Sequence, residues 1–395
     1  MKRLGHFIKI IYVIAIGLLF QSNVKAETID LVSYMDSVEF SLITCSPHEE
    51  IYSLYGHSAL RVHDLHQGHE EDVSFNWGVF NYHTPYFVPR FIFGLTDYEL
   101  GIAPFQAFCK YYQHWGSAVM EQVLDLTSEE KLKLHLALKE NYMPQNRVYR
   151  YNYFYDNCST RPRDIVERSV NGSVVYEERN GYEPTFREIV HENAAHHRWT
   201  LFGIDMLLGL KADLKTTRVE QEFLPANLLY DFDHAQISDG SGNLRPLVKE
   251  RRMPVNPGVQ VVESDVAITP TVCAIGLLIL SLALFLLEWR RRKTFKLWDV
   301  ALMVFLGLPG CVLTLMLFSQ HPTTNLNLEL LLVNPVHLFF LPAVLRRRKT
   351  RYWPLLAVMV VLYMLGAFFQ HYAEGMLILA SSLLLRILIH YKNEK

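Results

Sequence analysis

The hydrophobic positions fall into two regimes: residues 27–265 mix apolar and polar positions as a soluble domain does, whereas 268–391 holds long apolar runs separated by short basic clusters. In the first regime Glu39–Thr44, His57–His63 and Val73–Trp77 read as short strands, and Ser117–Leu126 as a fourth with roughly alternating apolar positions. Thr127-Ser128-Glu129-Glu130 is a capping-box pattern that opens a helix to about Glu140, with Leu132, Leu134, Leu136 and Leu138 as its apolar side. Arg150–Tyr155 reads as an aromatic strand, and Asp156-Asn157-Cys158-Ser159-Thr160 supplies caps for a helix carrying Ile165 and Val166. Arg187–Leu214 reads as helical, and Pro246–Pro257 has the Pro/Arg composition of a linker. Short strands interspersed with helices predict an α+β domain.

Five apolar segments follow, Ile268–Leu287, Trp298–Phe318, Leu328–Leu345, Trp353–Phe369 and Tyr372–Ile389. Each approaches the roughly 20 residues needed to cross hydrocarbon. Asn334 and Pro335 interrupt the third, a pattern that suits a bent or re-entrant helix. Arg290, Arg291, Arg292, Lys293 and Lys296 follow the first segment, and Arg346, Arg347, Arg348, Lys349 and Arg351 follow the third, whereas Ser319–Asn327 and Gln370–Tyr372 carry no Lys or Arg. Positive-inside counting puts the basic clusters in the cytoplasm and residues 27–265 outside. The N-terminus agrees: Lys2, Arg3 and Lys9, the apolar run Ile10–Phe20 and then Val24-Lys25-Ala26 make the three regions of a secretory signal peptide. The expected organisation is a signal peptide at 1–26, an exported domain at 27–245, a linker at 246–267, a membrane domain of about five helices at 268–391 and a cytoplasmic tail at 392–395.

Composition narrows the function. The chain is 50% hydrophobic with 23 Phe, 21 Tyr and 6 Trp, which excludes a disordered protein. Its 38 Lys+Arg balance 40 Asp+Glu, so nothing marks it as a nucleic-acid binder. Neither a phosphate-binding G-x-x-x-x-G-K-[ST] loop nor a dinucleotide fingerprint occurs, so no nucleotide and no cofactor is expected. In His191-Glu192-Asn193-Ala194-Ala195-His196 the second histidine stands one residue too far for a zincin helix, and no metal is expected either.

Cysteine carries the candidate chemistry. Three cysteines lie in the exported part, Cys45, Cys109 and Cys158, and an odd count leaves a thiol over if the others pair; a Cys45–Cys109 bond is one arrangement. Cys158 follows a predicted strand and opens a predicted helix, where unpaired N–H groups and the macrodipole favour a thiolate and can hold an oxyanion. His57 follows Gly56 at the start of a strand and is the candidate base. A thiol with a strand-borne imidazole is the pairing used for acyl transfer.

Thr44-Cys45-Ser46-Pro47, Tyr55-Gly56-His57-Ser58-Ala59-Leu60-Arg61-Val62, Phe75-Asn76-Trp77-Gly78-Val79-Phe80 and Tyr151-Asn152-Tyr153-Phe154-Tyr155-Asp156-Asn157-Cys158-Ser159-Thr160-Arg161-Pro162-Arg163-Asp164 resemble the Lnb family of bacterial lipoprotein N-acyltransferases, end to end. The loop Ser319–Asn327, with Asn334-Pro335 beyond it, resembles that family's loop between membrane spans. The resemblance implies a circularly permuted papain-like, NlpC-type domain, in which the histidine precedes the cysteine, followed by a helical domain in the bacterial inner membrane. It implies transfer of a fatty acyl chain from a phospholipid through a Cys158 thioester to the α-amine of diacylglyceryl-cysteine on a lipoprotein. His57 would be the base, and Asn76 would orient it as the third polar residue of papain-like sites does. Arg61, Arg161 and Arg163 are candidates for the lipid phosphate. His321 and Asn325 are candidates for lining the cavity from the membrane side.

Each residue also has a plain structural reading: a buried small hydrophobe for Cys158, a core imidazole for His57, a turn residue for Asn76, ion pairs for the arginines. A Cys/His phospholipase or cell-wall peptidase would use the same dyad, and a membrane-anchored assembly factor would use neither residue chemically. The aromatic stretch Tyr82–Tyr98 reads either as a belt at the membrane interface or as core.

Overall fold

The computed structural model describes residues 30–49, 53–66, 71–81, 83–179, 181–259, 266–348 and 350–394, so the expected signal peptide lies outside the described residues. β1 (Val38–Cys45), β2 (His57–Asp64) and β3 (Asp72–Val79) form an antiparallel meander in which Cys45 stands opposite His57. α1 (Phe87–Ile92) leads into β4 (Asp97–Pro104), which pairs with β3, and α2 (Phe105–His114) begins at the next residue. β5 (Val119–Leu124) pairs with β1 on the side away from β2, and α3 (Ser128–Tyr142) opens with the expected capping box between Thr127 and Glu130. β6 (Val148–Arg150), α4 (Thr160–Ser169) and β7 (Ser173–Val175) follow, then α5 (Phe186–Ala194), α6 (Arg198–Leu207), α7 (Pro225–His234), β8 (Gln236–Ser238), β9 (Leu244–Pro246) and β10 (Val248–Val255). The main sheet runs β10-β5-β1-β2-β3-β4-β6, and β7-β8-β9 make a small second sheet.

Helices cover the main sheet on both sides. Phe40, Leu42, Leu60, Phe75, Trp77 and Leu100 pack with Leu134 and Leu138 of α3, Val166 of α4 and Phe232 of α7. On the other side Ile43, Cys45, Ala59 and Val119 pack with Phe105, Phe108 and Tyr112 of α2. β1 is buried on both faces, which explains why Phe40-Ser41-Leu42-Ile43 does not alternate. Burying one such Leu or Phe side chain is worth about 1.5–3 kcal/mol.

Several expectations change. The aromatic run Arg150–Tyr155 is strand only to Arg150, because Asn152 Oδ1 accepts from the Phe154 N–H at 3.2 Å and the Tyr155 N–H at 3.3 Å and curls the chain into a turn. The helical reading of Arg187–Leu214 resolves into α5, α6 and a short 3-10 turn at Leu210–Asp213, broken at His197 where φ is −120°. Within the expected linker at 246–267, Val248–Val255 is instead the edge strand β10, so the sheet extends past residue 245. Its charges disguise it: an edge strand tolerates them, and Arg252 Nη1 donates to Glu39 of β1 at 2.7 Å. β4 and α2 had no counterpart in the sequence reading.

The C-terminal region is helical. α8 (Pro270–Arg291), α9 (Lys296–Met316) and the stretch Pro322–Leu345 are long and apolar enough to cross a membrane. Among the described residues, three of the five expected segments thus reach a spanning length. The third is α-helical only over α10 (Val336–Leu345), after 3-10 turns at Pro322–Thr324 and Leu328–Leu331. α11 (Tyr352–Gly366) is 15 residues long, about 22 Å against a hydrocarbon core of about 30 Å. α12 (Met376–Glu394) carries Arg386, buried against Glu288 of α8 and, at 2.5 Å, Asp299 of α9, while His390 Nε2 lies 3.0 Å from Asp299.

Lys296 Nζ donates to the Leu345 carbonyl at 3.0 Å, which brings the two basic clusters to one end of this region. The N-terminal domain docks on the loops at the other end. There the Gln320 N–H donates to the Phe93 carbonyl at 3.0 Å, the Gly209 N–H to the Thr323 carbonyl at 2.8 Å and Asn327 Nδ2 to the Met206 carbonyl at 2.7 Å. Arg198 pairs with Glu374 at 2.7 Å across the same boundary.

Candidate functional site

The site forms at the sheet end where β1 finishes, β2 begins and β3 finishes. Gly56 makes the turn into β2 with φ +75°, and a Cβ there would stand 2.6 Å from the Cys45 carbonyl oxygen, so only glycine lets His57 start the strand at this point. On the neighbouring strand β3, Asn76 Oδ1 lies 2.6 Å from His57 Nε2. That oxygen can only accept, so Nε2 carries the proton and Nδ1 is left for a second partner.

Cys158 lies in the turn ahead of α4. Asn157 builds that turn: its Oδ1 accepts from the Ser159 N–H at 2.8 Å and the Thr160 N–H at 3.0 Å, while its Nδ2 donates to the carbonyls of Tyr153 and Phe223, both at 2.9 Å. Two N–H groups at the helix start, expected from sequence to face an oxyanion, are therefore already satisfied. The Ser58 and Ser159 hydroxyls, both fully buried, lie 3.1 Å apart and tie β2 to the start of α4.

His57 and Cys158 interact directly. Burial alone would push the thiol up, but the His57 charge and hydrogen bond, the Ser58 N–H and the Ser159 hydroxyl outweigh it and hold Cys158 below an ordinary thiol. Burial would lower His57, and Cys158 with Asn76 outweighs it and raises the imidazole. Both residues remain partly exposed. Gly78, with φ +135°, leaves the space beside them open: a Cβ there would lie 3.4 Å from His57 Cε1 and 4.0 Å from Cys158 Cβ. Tyr112 of α2 lies nearly parallel to the His57 ring, centroids 6.4 Å apart, and Phe108 lies at 6.5 Å.

The other sequence candidates lie elsewhere. Arg61 is held by Asp72 at 2.7 and 2.9 Å and by Glu121 at 2.9 Å, with its guanidinium 4.0 Å over the Phe105 ring. Arg161 is paired bidentately with Asp156 at 2.5 and 2.8 Å and lies over Tyr149. Arg163 is shared between Asp164 at 2.6 Å and Glu222 at 3.0 Å. All three forks are thus spent on carboxylates, the geometry of internal ion pairs. His321 is buried and its Nε2 donates to the Phe91 carbonyl at 2.9 Å, while Asn325 is exposed on the docking loop. Cys45 and Cys109 are free thiols, Cys45 buried in the α2 cluster with Cys109 packed against it. Among the described residues no group of three or more His, Cys, Asp or Glu side chains is placed to hold a metal ion.

Sequence reasoning overlooked Gly78, Ser58, Ser159 and Tyr112. A serine directly follows both His57 and Cys158, a recurrence that marks the first shared support of the pair; nothing local marks Tyr112, which arrives from a helix.

The family model described as the Lnb N-terminal periplasmic domain matches residues 27–192, and the one described as the Lnb transmembrane domain matches residues 262–395. No curated protein and no solved structure matches the chain. The two matches fall in order on the sheet-rich and the helical regions, mark the chain as a membrane protein with a periplasmic domain, and support an Lnb-type family for it.

Proposed function

We propose that this chain is a thiol acyltransferase of the bacterial inner membrane that moves a fatty acyl chain from a phospholipid to the N-terminal amine of diacylglyceryl-cysteine lipoproteins. The observation that carries the reading is the Cys158–His57–Asn76 constellation, with its 2.6 Å His57–Asn76 bond and lowered thiol, in a periplasmic domain docked on membrane helices. The order of a His on a strand before a Cys at the entry to a helix supports a permuted papain-like arrangement.

In the first half-reaction His57 Nδ1 takes the thiol proton and the thiolate attacks the ester carbonyl of the lipid. The carbonyl oxygen becomes an oxyanion, for which the Cys158 N–H is the nearby main-chain donor left by the Asn157 cap. The carbon–oxygen bond to the glycerol breaks, His57 returns its proton to that oxygen, and lysophospholipid leaves with Cys158 acylated. In the second, the neutral α-amine attacks the thioester, His57 takes the amine's proton and returns it to the departing thiolate. An α-amine with a pKa near 7.7–8.0 is partly neutral at neutral pH and needs no further activation. Asn76 keeps the imidazole oriented through both halves.

The test is mass spectrometry of purified protein incubated with phospholipid alone. A hydroxylamine-sensitive fatty-acyl mass on the Cys158 peptide, lost in Cys158→Ala, is expected. Free fatty acid without an adduct would identify a phospholipase, and neither product would return Cys158 and His57 to structural roles.

A further inference from the structure

Helix α1 has two unlike faces. Phe87 and Phe91, one helical turn apart, point into the protein: Phe87 packs on Phe80 with centroids 5.4 Å apart, Phe91 on Tyr151 at 6.0 Å, and Tyr151 stacks on Tyr98 at 4.2 Å. Tyr151 lies seven residues before Cys158, just ahead of the Asn152 turn, and is close enough for the thiolate charge to be felt at its hydroxyl. The end of α1 is fixed to the membrane domain, since His321 Nε2 donates to the Phe91 carbonyl at 2.9 Å, the Ser319 hydroxyl to the Ile92 carbonyl at 3.1 Å and the Gln320 N–H to the Phe93 carbonyl at 3.0 Å. The outward side carries uncovered apolar groups, Val88 at 58% exposed and Tyr86, just ahead of the helix, at 80%, while the exposed Arg90 is turned towards Asp97 at 3.8 Å. Phe318, the neighbour of Ser319 just past the end of α9, is 79% exposed, so α1 and the end of a candidate span, joined through the Ser319–Ile92 bond, each bring exposed apolar side chains to one rim.

The geometry points to a second membrane contact: the outward face of α1 rests at the headgroup boundary of the leaflet on the N-terminal domain's side, beside the end of α9. The occupant is lipid because the rim continues the lipid-facing end of a transmembrane helix, at the end of the helical region opposite the basic clusters. A tyrosine suits that boundary, with its ring among apolar groups and its hydroxyl in water. The contact stands on this geometry alone. Its consequence, that a phospholipid ester reaches Cys158 along Phe91 and Tyr151, deepens the acyl-transfer reading and rests on it.

The full-length chain carrying Cys158→Ser and a photoreactive benzoylphenylalanine in place of Val88 is illuminated in phosphatidylethanolamine–phosphatidylglycerol vesicles. A phospholipid adduct about fivefold or more above that of the same probe at Leu136, 55% exposed on α3, is expected. Equal labelling at the two positions overturns the contact, and the probe at Tyr86 repeats the test should the Val88 variant not fold. In the active chain Val88→Glu should slow Cys158 acylation from vesicles about tenfold, with iodoacetamide alkylation of Cys158 reporting that the site is still formed. Acylation at the parent rate overturns the delivery route. A parent chain that never acylates while the Val88 adduct persists defeats the acyl-transfer reading and leaves the contact standing.

Discussion

His57 and Cys158 move each other's proton equilibria in opposite directions, the thiol down and the imidazole up, because each stabilises the other's charged form against burial. Free thiols titrate near about 8.5. The rate of Cys158 alkylation should therefore hold as pH falls through that value and decline only below it. In His57→Ala the opposing charge and its hydrogen bond are gone, and burial, the largest influence, is left against only the Ser58 N–H and the Ser159 hydroxyl, so the inflection should rise above the ordinary thiol range; an unmoved inflection would show that the imidazole does not control the sulfur. Asn76→Ala removes a hydrogen bond to a charged partner, about 1.5–3 kcal/mol, and should slow acylation about 10- to 100-fold, read as kcat, with little change in unfolding temperature. Gly56→Ala is different in kind, because its Cβ meets a carbonyl oxygen at 2.6 Å in a left-handed conformation. It should destabilise the domain by about 1–3 kcal/mol, measured by thermal denaturation. At this scale the sequence was informative where chemistry demands rare residue types in a fixed local setting, as Gly-His and Asn-Cys do. It was uninformative for Arg61, Arg161 and Arg163, whose partner carboxylates include Glu121 and Glu222, far off in the chain.

Elements whose signals are local were legible. The capping box at Thr127 is written in four consecutive residues and folds as such, and Thr127→Ala should cost about 1 kcal/mol of domain stability, with a lowered unfolding temperature as the readout. β10 is the counterexample, since its pairing with β5 and the Glu39–Arg252 contact bring together residues more than a hundred positions apart. Hydrogen exchange separates the two readings of residues 248–255. A linker would exchange within the dead time, whereas a paired strand should protect the Glu250 and Arg252 segment to nearly the extent of β5. The turn at Asn152 also escaped the pattern, because one side-chain oxygen outcompetes the β preference of five aromatic-rich residues.

Across the whole molecule, two polar systems hold apolar helices in place. Arg386, Glu288 and Asp299 join α12, α8 and α9 at the end that carries the basic clusters, buried among the helices where an unpaired charge is costly. Arg386→Leu strands two buried carboxylates and should cost about 3–5 kcal/mol, seen as a lowered unfolding temperature in detergent, whereas Arg386→Met combined with Glu288→Gln and Asp299→Asn should recover most of it. At the opposite end the loop around Gln320, His321 and Asn327 seats the N-terminal domain through main-chain carbonyls, which any sequence offers. That part of the docking leaves no mark in the pattern of side chains, and its Arg198–Glu374 ion pair joins positions 176 apart.

By itself the sequence determined what depends on neighbours along the chain: the apolar runs and basic clusters of the membrane region, the short strands of the sheet, the cap of α3, and the thiol and imidazole as the candidate pair. These follow from transfer free energies, backbone caps and residue chemistry, which act locally. Tertiary structure alone decided that Asn157 occupies the N–H groups at the start of α4, that Ser58 meets Ser159, that Gly78 keeps the pair open and that β10 completes the sheet. It also decided that the apolar stretch Pro322–Leu345 is only partly α-helical, with its loop serving as a seat for the N-terminal domain. Each of these depends on which distant group reaches a given hydrogen-bonding atom first, and only the packed chain settles that competition.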